Sequence, residues 1–303
     1  MLNYIKLWGV RGSYPAPQGS HLRVGGNTAC VEFCVDGYRL ICDAGTGIIP
    51  LGNHLARQHG NSPQELCLLI SHYHWDHISG LPFFVPAFMP NWTINVYAPG
   101  DSSAEIETYI AGQMQPPYFP VEVEVWQAKM HYRHTQQRQI QYGPFVINAF
   151  YVHHPGITLG YLIKVHDKVI AYMSDNELSF IDRSIEVRKN ELNPRETELI
   201  LAMAKEEWDN AVQQIKGIDI LLHDAQYTPE DYQKKQGWGH SCYLDTIDFA
   251  LDAKVKDLYL FHMDPAYDDD FVDNIYEKAL KYCQQYSNTL RCHIARETLL
   301  IPL

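Results

Sequence analysis

The sequence of 303 residues predicts an α/β fold in which helices lie outside a pair of packed β-sheets. Apolar runs of strand length fall into two groups, one in each half of the chain, with amphipathic helical stretches between them. The residues best suited to chemistry sit just past these runs, where strand ends hand the chain to loops. No low-complexity linker or short repeat divides the sequence, so residues 1–303 read as one domain.

The elements follow in order. Leu2 to Trp8 alternates as a strand does. Ala29–Cys34 and Tyr38–Cys42 form a hairpin around Asp36-Gly37. Asp43-Ala44-Gly45-Thr46-Gly47 is a tight loop, and Ile48 to His59 then reads as a helix. Leu66 to Ile70 is a strand. Gly80 to Phe88 starts a helix that Pro82 and Pro86 interrupt. Thr93–Tyr97 is a strand, and a helix runs from Ser102 to about Met114. Pro116-Pro117-Tyr118-Phe119-Pro120 is stiff and aromatic. It is either a pocket wall, with Tyr118 placed to stack on a base, or a packed connector.

Glu122–Trp126, Phe145–Val152, Thr158–Val165 and Val169–Ser174 make the second run of strands. Glu186 to Lys216 is charged and helical in period, and marks a helical insertion at about 181–216. Ile218–Leu222 is a strand, Tyr243–Ala253 a helix, Asp257–Phe261 a strand and Asp270–Gln285 an amphipathic helix.

Bulk composition narrows the function. The formal net charge of -12 disfavours a protein that holds duplex nucleic acid or an anionic membrane. A small anionic substrate remains compatible, because bound divalent cations would dominate the local field. The N-terminus lacks a basic segment followed by a long apolar run, and no stretch is long and apolar enough to span a bilayer. Seven cysteines without a CxxC read as reduced, buried thiols of a cytoplasmic protein.

The most informative stretch is Ser71-His72-Tyr73-His74-Trp75-Asp76-His77, directly after a strand. It places three imidazoles and a carboxylate on one turn, an H-x-H-x-D-H pattern. Burying that many polar groups is costly unless something pairs with them, and a metal does so. Four such side chains cannot easily converge on one tetrahedral ion. They divide naturally as His72 and His74 for one metal, Asp76 and His77 for a neighbour. Further ligand types follow other strands: His154 after Phe150-Tyr151-Val152, Asp175 after Val169–Ser174, and His262 after Leu258–Phe261. His131, His134, His166 and His293 lie in polar context and read as solvated. His21, His54 and His59 have no evident partner.

Together the H-x-H-x-D-H turn, His154, Asp175, His262 and the Asp43–Gly47 loop resemble the metallo-β-lactamase superfamily, from Leu7 to about Pro265. The resemblance implies an αββα sandwich of two mixed sheets with two metals at one edge. It assigns His72, His74 and His154 to the first metal and Asp76, His77 and His262 to the second, with Asp175 and a hydroxide bridging them. His154 is preferred over His153 because His154–Tyr161 looks like the family's His-to-Gly-Tyr segment. Zinc is the default metal for such ligands, with manganese the alternative.

His223-Asp224-Ala225-Gln226 and Gly237-Trp238-Gly239-His240-Ser241 point to one branch of that superfamily. The pair looks like the phosphodiesterase branch, which includes tRNase Z and small cyclic-nucleotide phosphodiesterases. Asp224 stands where tRNase Z has Glu, one carbon longer, and Gln226 stands where it has Thr. The implied roles are that Asp224 orients and charges His240, and that His240 protonates the leaving oxygen after hydroxide attack on phosphorus. The glycine-rich segments Gly9–Ser13 and Gly25–Cys30 resemble bacterial and phage members near the cyclic-nucleotide enzymes. Asn27, Tyr118 and Ser241 are the candidate substrate contacts.

The expected reaction is therefore hydrolysis of a small 3′,5′-cyclic nucleotide to a nucleoside monophosphate. A tRNase Z-like RNA endonuclease is the alternative, although no glycine-rich basic arm is present to clamp tRNA. A thioester or lactone hydrolase on the same fold is the other. A flavodiiron-type redox protein fits less well, since the turn is intact and no flavin domain follows. The resemblance also implies a homodimer.

Overall fold

A computed structural model describes residues 2–135, 139–181, 191–287 and 289–303. Within them the chain builds two mixed sheets of seven strands. The first contains β1 (Tyr4–Gly9), β2 (Cys30–Val35), β3 (Tyr38–Cys42), β4 (Gln64–Leu69), β5 (Trp92–Ala98) and β6 (Lys129–His134), closed on the other edge by β14 (Leu300–Pro302). The second contains β7 (Gln139–Tyr142), β8 (Phe145–Tyr151), β9 (Leu159–Val165), β10 (Lys168–Met173), β11 (Ile220–Asp224), β12 (Asp257–Phe261) and β13 (Arg291–Ile294). Pairing in the first sheet is antiparallel from β14 to β3 and parallel from β3 to β6. The second repeats this, antiparallel from β7 to β10 and parallel from β10 to β13.

Alternation along β4 shows how the layers form. Cys67 and Leu69 enter the core between the sheets, whereas Leu66 and Leu68 face outward. The outward pair packs with Ile48, Leu51 and Leu55 of α1 (Ile48–His59) and with Ile106 and Ile110 of α3 (Ser103–Ala111). On the far side, α6 (Tyr243–Asp252) and α7 (Asp269–Tyr286) supply Ile247, Phe249, Val272 and Ile275 to the other cluster. Parallel strands buried on both faces must be apolar throughout, and β4, β11 and β12 are nearly so. Helix, sheet, sheet, helix is the layer order that the sequence predicts.

The parallel strands share a direction, so the carboxyl ends of β3, β4, β10, β11 and β12 meet along one edge. Asp43, the His72–His77 turn, Asp175, Asp224 and His262 all stand at those ends. The turn carries one short helix, α2 (Trp75–Ile78), with Asp76 in its first turn.

Several expectations are corrected. Glu122–Trp126 is not a strand: Val123–Val125 forms a 3₁₀ turn, and the chain pairs only from Lys129. Gly80–Phe88 breaks into two 3₁₀ turns, Leu81–Phe83 and Val85–Phe88, because each Pro suits a first turn but not a helix interior. His131 and His134 lie on β6, an edge strand hidden by its polar sequence KMHYRH. The expected insertion contains α4 (Pro194–Gln214), opened by a capping box between Asn193 and Glu196. The rest of that expectation, residues 182–190, lies outside the described residues. All seven cysteines are free and buried. Among the described residues no helix is long and apolar enough to cross a membrane.

Candidate active site

The sheet edge gathers the polar residues into two touching groups. His72, His74 and His154 form the first, and Asp76, His77, Asp175 and His262 the second, with donor atoms within 4.8 Å of one another in each. Asp175 joins them. Its Oδ2 lies 3.7 Å from both His72 Nε2 and His154 Nε2. Its Oδ1 lies 3.0 Å from His77 Nε2 and 3.3 Å from His262 Nε2. Asp76 Oδ2 completes the second group at 3.2 Å from His262 Nε2 and 3.3 Å from His77 Nε2.

Partners behind the site fix which nitrogen of each ring faces inward. His77 Nδ1 donates to Asp43 Oδ2 at 2.8 Å, so Nε2 turns toward the carboxylates. His154 Nδ1 donates to the Gly239 carbonyl at 2.8 Å, so its Nε2 presents a lone pair, 2.9 Å from His74 Nδ1. Asp43 is in turn held by Ser71 N at 2.7 Å, Ser71 Oγ at 2.8 Å and the Tyr172 hydroxyl at 2.7 Å. Such outer partners orient metal-binding imidazoles and raise their basicity.

The arrangement suits cations. His72 Nε2 is buried without a hydrogen-bond partner. Burial and the neighbouring His77 push the His72 imidazole well below its ordinary pKa, and burial lowers those of His74 and His154. All three are therefore neutral and able to donate lone pairs. Burial alone would raise the carboxyl pKa values of Asp175 and Asp76. The surrounding imidazoles outweigh it and hold both well below the usual carboxylate range. His77 shows the converse: burial lowers its pKa, but Asp175, Asp76 and Asp43 lift it well above the ordinary value. A proton or a cation must sit among these carboxylates, and the nitrogen and oxygen donors match a divalent metal.

The chain bends hard to reach this geometry. Ser13, Asp43 and His262 adopt left-handed backbone conformations, with φ of 62°, 61° and 63°. Each is costly for a non-glycine residue, and such strain collects at functional sites. Ser13 thereby aims its N–H at Asp76 Oδ2, 2.7 Å away. The Gln226 side chain donates to Ser13 Oγ at 3.1 Å and so braces that turn. Gly12 packs against His262 so closely that a Cβ there would fall 2.6 Å from Nδ1.

The His240–Asp224 pair stands beside this cluster. Asp224, the last residue of β11, accepts from His240 Nδ1 at 2.7 Å. The shorter aspartate therefore spans the gap. Backbone N–H groups of Gln226 and Asn176 hold its carboxylate, at 2.9 and 3.2 Å. Burial lowers the His240 pKa, but Asp224, then Asp175 and Asp76, outweigh it and raise it to about 9. His240 Nδ1 is 3.8 Å from Asp175 Oδ2, so the pair borders both groups.

Two residues with no assigned role in the sequence prove to be supports: Asp43, described above, and Glu177. Buried Glu177 accepts from Gly237 N, Gly239 N and the Tyr232 hydroxyl, each at 2.8 Å, and clamps the loop that carries His240. A lone Glu two residues past Asp175 gives no pattern by which to find it.

The other candidates are placed differently. His153 turns away to Glu207, 3.7 Å distant, and His154 enters the cluster instead. Ser241 Oγ donates to the Asn176 carbonyl at 2.6 Å and accepts from Leu178 N, so it supports the loop. Asn27 is tied to Glu297 through its side chain at 3.1 Å. Tyr118 is 83% exposed, while adjacent Phe119 packs on Phe83 at 5.5 Å. The 116–120 segment is therefore anchored through Phe119, with Tyr118 turned to solvent. His21, which has no evident partner in the sequence, contacts the Pro265 carbonyl through Nε2 at 3.0 Å.

Known proteins share this organisation. Residues 38–189 match the family model described as a beta-lactamase superfamily domain. The ribonuclease Z of Sulfolobus acidocaldarius is 24% identical over 253 residues, covering 77% of this chain and 80% of that protein. Among solved structures, the metallo-beta-lactamase fold protein YhfI from Bacillus subtilis superposes with a TM-score of 0.66 at 16% identity, covering 99% of each chain. Unliganded yeast PDE1 superposes with a TM-score of 0.62 at 14% identity, covering 100% of this chain and 99% of that one. At these identities the two structures establish the fold.

Proposed function

This chain belongs to the metallo-β-lactamase superfamily, on its phosphodiesterase branch, and from that premise we propose that it hydrolyses a small 3′,5′-cyclic nucleotide to a nucleoside monophosphate. It is a metal-dependent hydrolase of phosphodiester bonds. The observation that carries the phosphodiesterase reading is the His240–Asp224 pair at 2.7 Å beside, and outside, a two-part His/Asp cluster, and the net charge of -12 is what favours a small substrate over RNA. Thioester hydrolysis has no comparable need for an acid, because a thiolate leaves without a proton.

His72, His74 and His154 would hold one divalent ion, and Asp76, His77 and His262 the other, with Asp175 shared. Zinc is the metal we propose, and manganese the second choice. When bound, the pair supplies Lewis acidity and a water-derived nucleophile at neutral pH. The chain's own residues do the rest. His240 donates through Nδ1 to Asp224 and makes no hydrogen bond from Nε2 among the described residues. Its Nε2 proton passes to the departing ribose oxygen, and Asp224 stabilises the imidazolium beforehand. Asp43 and Glu177 keep His77 and His240 from swinging, so orientation is settled before substrate arrives.

The ribonuclease Z relatives favour a second reading, cleavage of RNA. Against it stand the net charge of -12 and helix α4, which carries five acidic and two basic residues where an RNA clamp would need the reverse. The free, buried cysteines support a cytoplasmic setting, and we propose a homodimer by analogy with the family.

Metal analysis combined with a substrate panel tests the reading. The metal-loaded protein should hold two ions per chain and hydrolyse cyclic nucleotides and bis-p-nitrophenyl phosphate. Turnover confined to thioesters, lactones or precursor tRNA would reject it.

A further inference from the structure

A cavity of about 340 Å³ opens beside the cluster and shares His72 and His74 with it. The rest of its lining is chemically different. Tyr73 and Tyr109 pack against each other there, tilted at 60° with ring centroids 4.8 Å apart, and Pro155 and Ile157 line it as well. Asp101 and Glu105 complete the lining. This lining is held in place. The Tyr73 hydroxyl donates to the Pro99 carbonyl at 2.6 Å. Glu105 accepts from the Tyr109 hydroxyl and from Asp101 N, each at 2.7 Å, and its helix is capped by Ser102. These hydrogen bonds lower the Glu105 pKa, so the group is an anion with a set direction.

Two carboxylates cannot face the phosphate end of an anionic substrate. They repel it, while the His/Asp cluster, once it holds cations, attracts it. The substrate therefore lies with its phosphate at the histidines and its uncharged end in this cavity. Aromatic walls suit a flat ring, since stacking does not depend on which base is present. The carboxylate does discriminate, because an ionised carboxylate only accepts hydrogen bonds. Guanine offers two adjacent N–H donors, the ring N1–H and the exocyclic amine, which match the lone pair still open on each Glu105 oxygen beside those that take the Tyr109 hydroxyl and Asp101 N. Adenine offers its exocyclic amine beside a ring-nitrogen lone pair, which faces the carboxylate unfavourably.

We propose that this cavity is the base subsite, and that Glu105 selects guanine over adenine. The proposal rests on the nucleotide reading above, but equilibrium binding tests it separately from turnover. Calorimetric titration of the metal-loaded protein with 5′-GMP and 5′-AMP is the experiment. GMP should bind at least tenfold more tightly than AMP. Glu105→Gln should erase or reverse that ratio, because a glutamine amide pairs with adenine through one donor and one acceptor. AMP binding by the variant then reports that its site is intact, and Tyr109→Phe, which removes the hydrogen bond that sets the direction of the Glu105 carboxylate, should narrow the ratio in the same direction. Equal GMP and AMP affinities in the unaltered protein, or an unchanged ratio in Glu105→Gln, would overturn the proposal. Selective GMP binding without cyclic-nucleotide hydrolysis would uphold the subsite and reject the cyclic-nucleotide reading alone.

Discussion

His240 Nδ1 donates to Asp224 Oδ2 at 2.7 Å across sixteen residues of chain, joining the end of β11 to the loop before α6. The hydrogen bond gives His240 its proton and its direction at once.

The pH dependence follows from that pair. His240 is raised to about 9, so its acid form persists through neutral pH and is lost as pH rises through that value. Cations bound alongside push the same proton off, which moves the basic limb of the loaded enzyme below 9. Asp224→Asn removes the charge that holds the proton. Its basic limb should shift to lower pH, and kcat should fall by about 10²–10⁴-fold, the usual worth of a positioned acid. A pH profile of kcat for both proteins checks this.

Asp43 makes a different prediction. It accepts from His77 Nδ1, Ser71 N, Ser71 Oγ and the Tyr172 hydroxyl, all buried. Asp43→Ala leaves those donors unpaired and frees the His77 ring. Metal affinity should drop by about 10–100-fold, as for other outer partners of metal-binding histidines. Stability should fall by about 3–5 kcal/mol, as for a broken buried charge network. Competition with a chelator and chemical denaturation measure the two effects.

Metal removal should destabilise the whole edge. A ligand that binds only the folded state adds about 2.7 kcal/mol at one hundred times its Kd. Thermal unfolding should therefore move down by several degrees in chelator and recover on adding zinc or manganese. Binding should also weaken in acid, because protons compete for His77, which the carboxylates hold above its ordinary pKa. The acid arm sets the sign: affinity must fall as pH falls, which a calorimetric titration at two pH values checks.

Glu177 anchors the His240 loop through Gly237 N, Gly239 N and the Tyr232 hydroxyl. Glu177→Ala should cost about 1–3 kcal/mol per buried donor left unmade. It should also lower kcat at least tenfold, since both His240 and the Gly239 carbonyl behind His154 lose their support. Turnover measured with metal content in parallel separates the two contributions.

Much of this site was legible before any coordinates. The His72–His77 turn puts four potential ligands in six residues directly after an apolar strand, and few structural needs produce that combination. α1 and β12 were equally legible, since Ile48–His59 and Asp257–Phe261 carry clean periodicity. Legibility ended where contacts join distant parts of the chain. Asp43 stands out only as part of a loop, with no role, and Glu177 looks like an ordinary acid, until the fold brings them to His77 and to the 237–239 loop. β6 was hidden for another reason: as an edge strand with a half-wet surface, Lys129–His134 needs no apolar alternation. Ser241 sits next to His240 in the sequence, and its hydroxyl donates to the Asn176 carbonyl.

The most direct measurement compares His240→Ala with the unaltered protein on two substrates, with metal counted in both. A 3′,5′-cyclic nucleotide expels a ribose alkoxide that needs a proton, whereas bis-p-nitrophenyl phosphate expels a phenolate that needs little help. Both proteins should hold two metals per chain, with a loss of about 10²–10⁴-fold on the cyclic nucleotide and a much smaller loss on the aryl ester. Equal losses on the two substrates, or full turnover of the cyclic nucleotide by His240→Ala, would contradict the role of His240 as the acid.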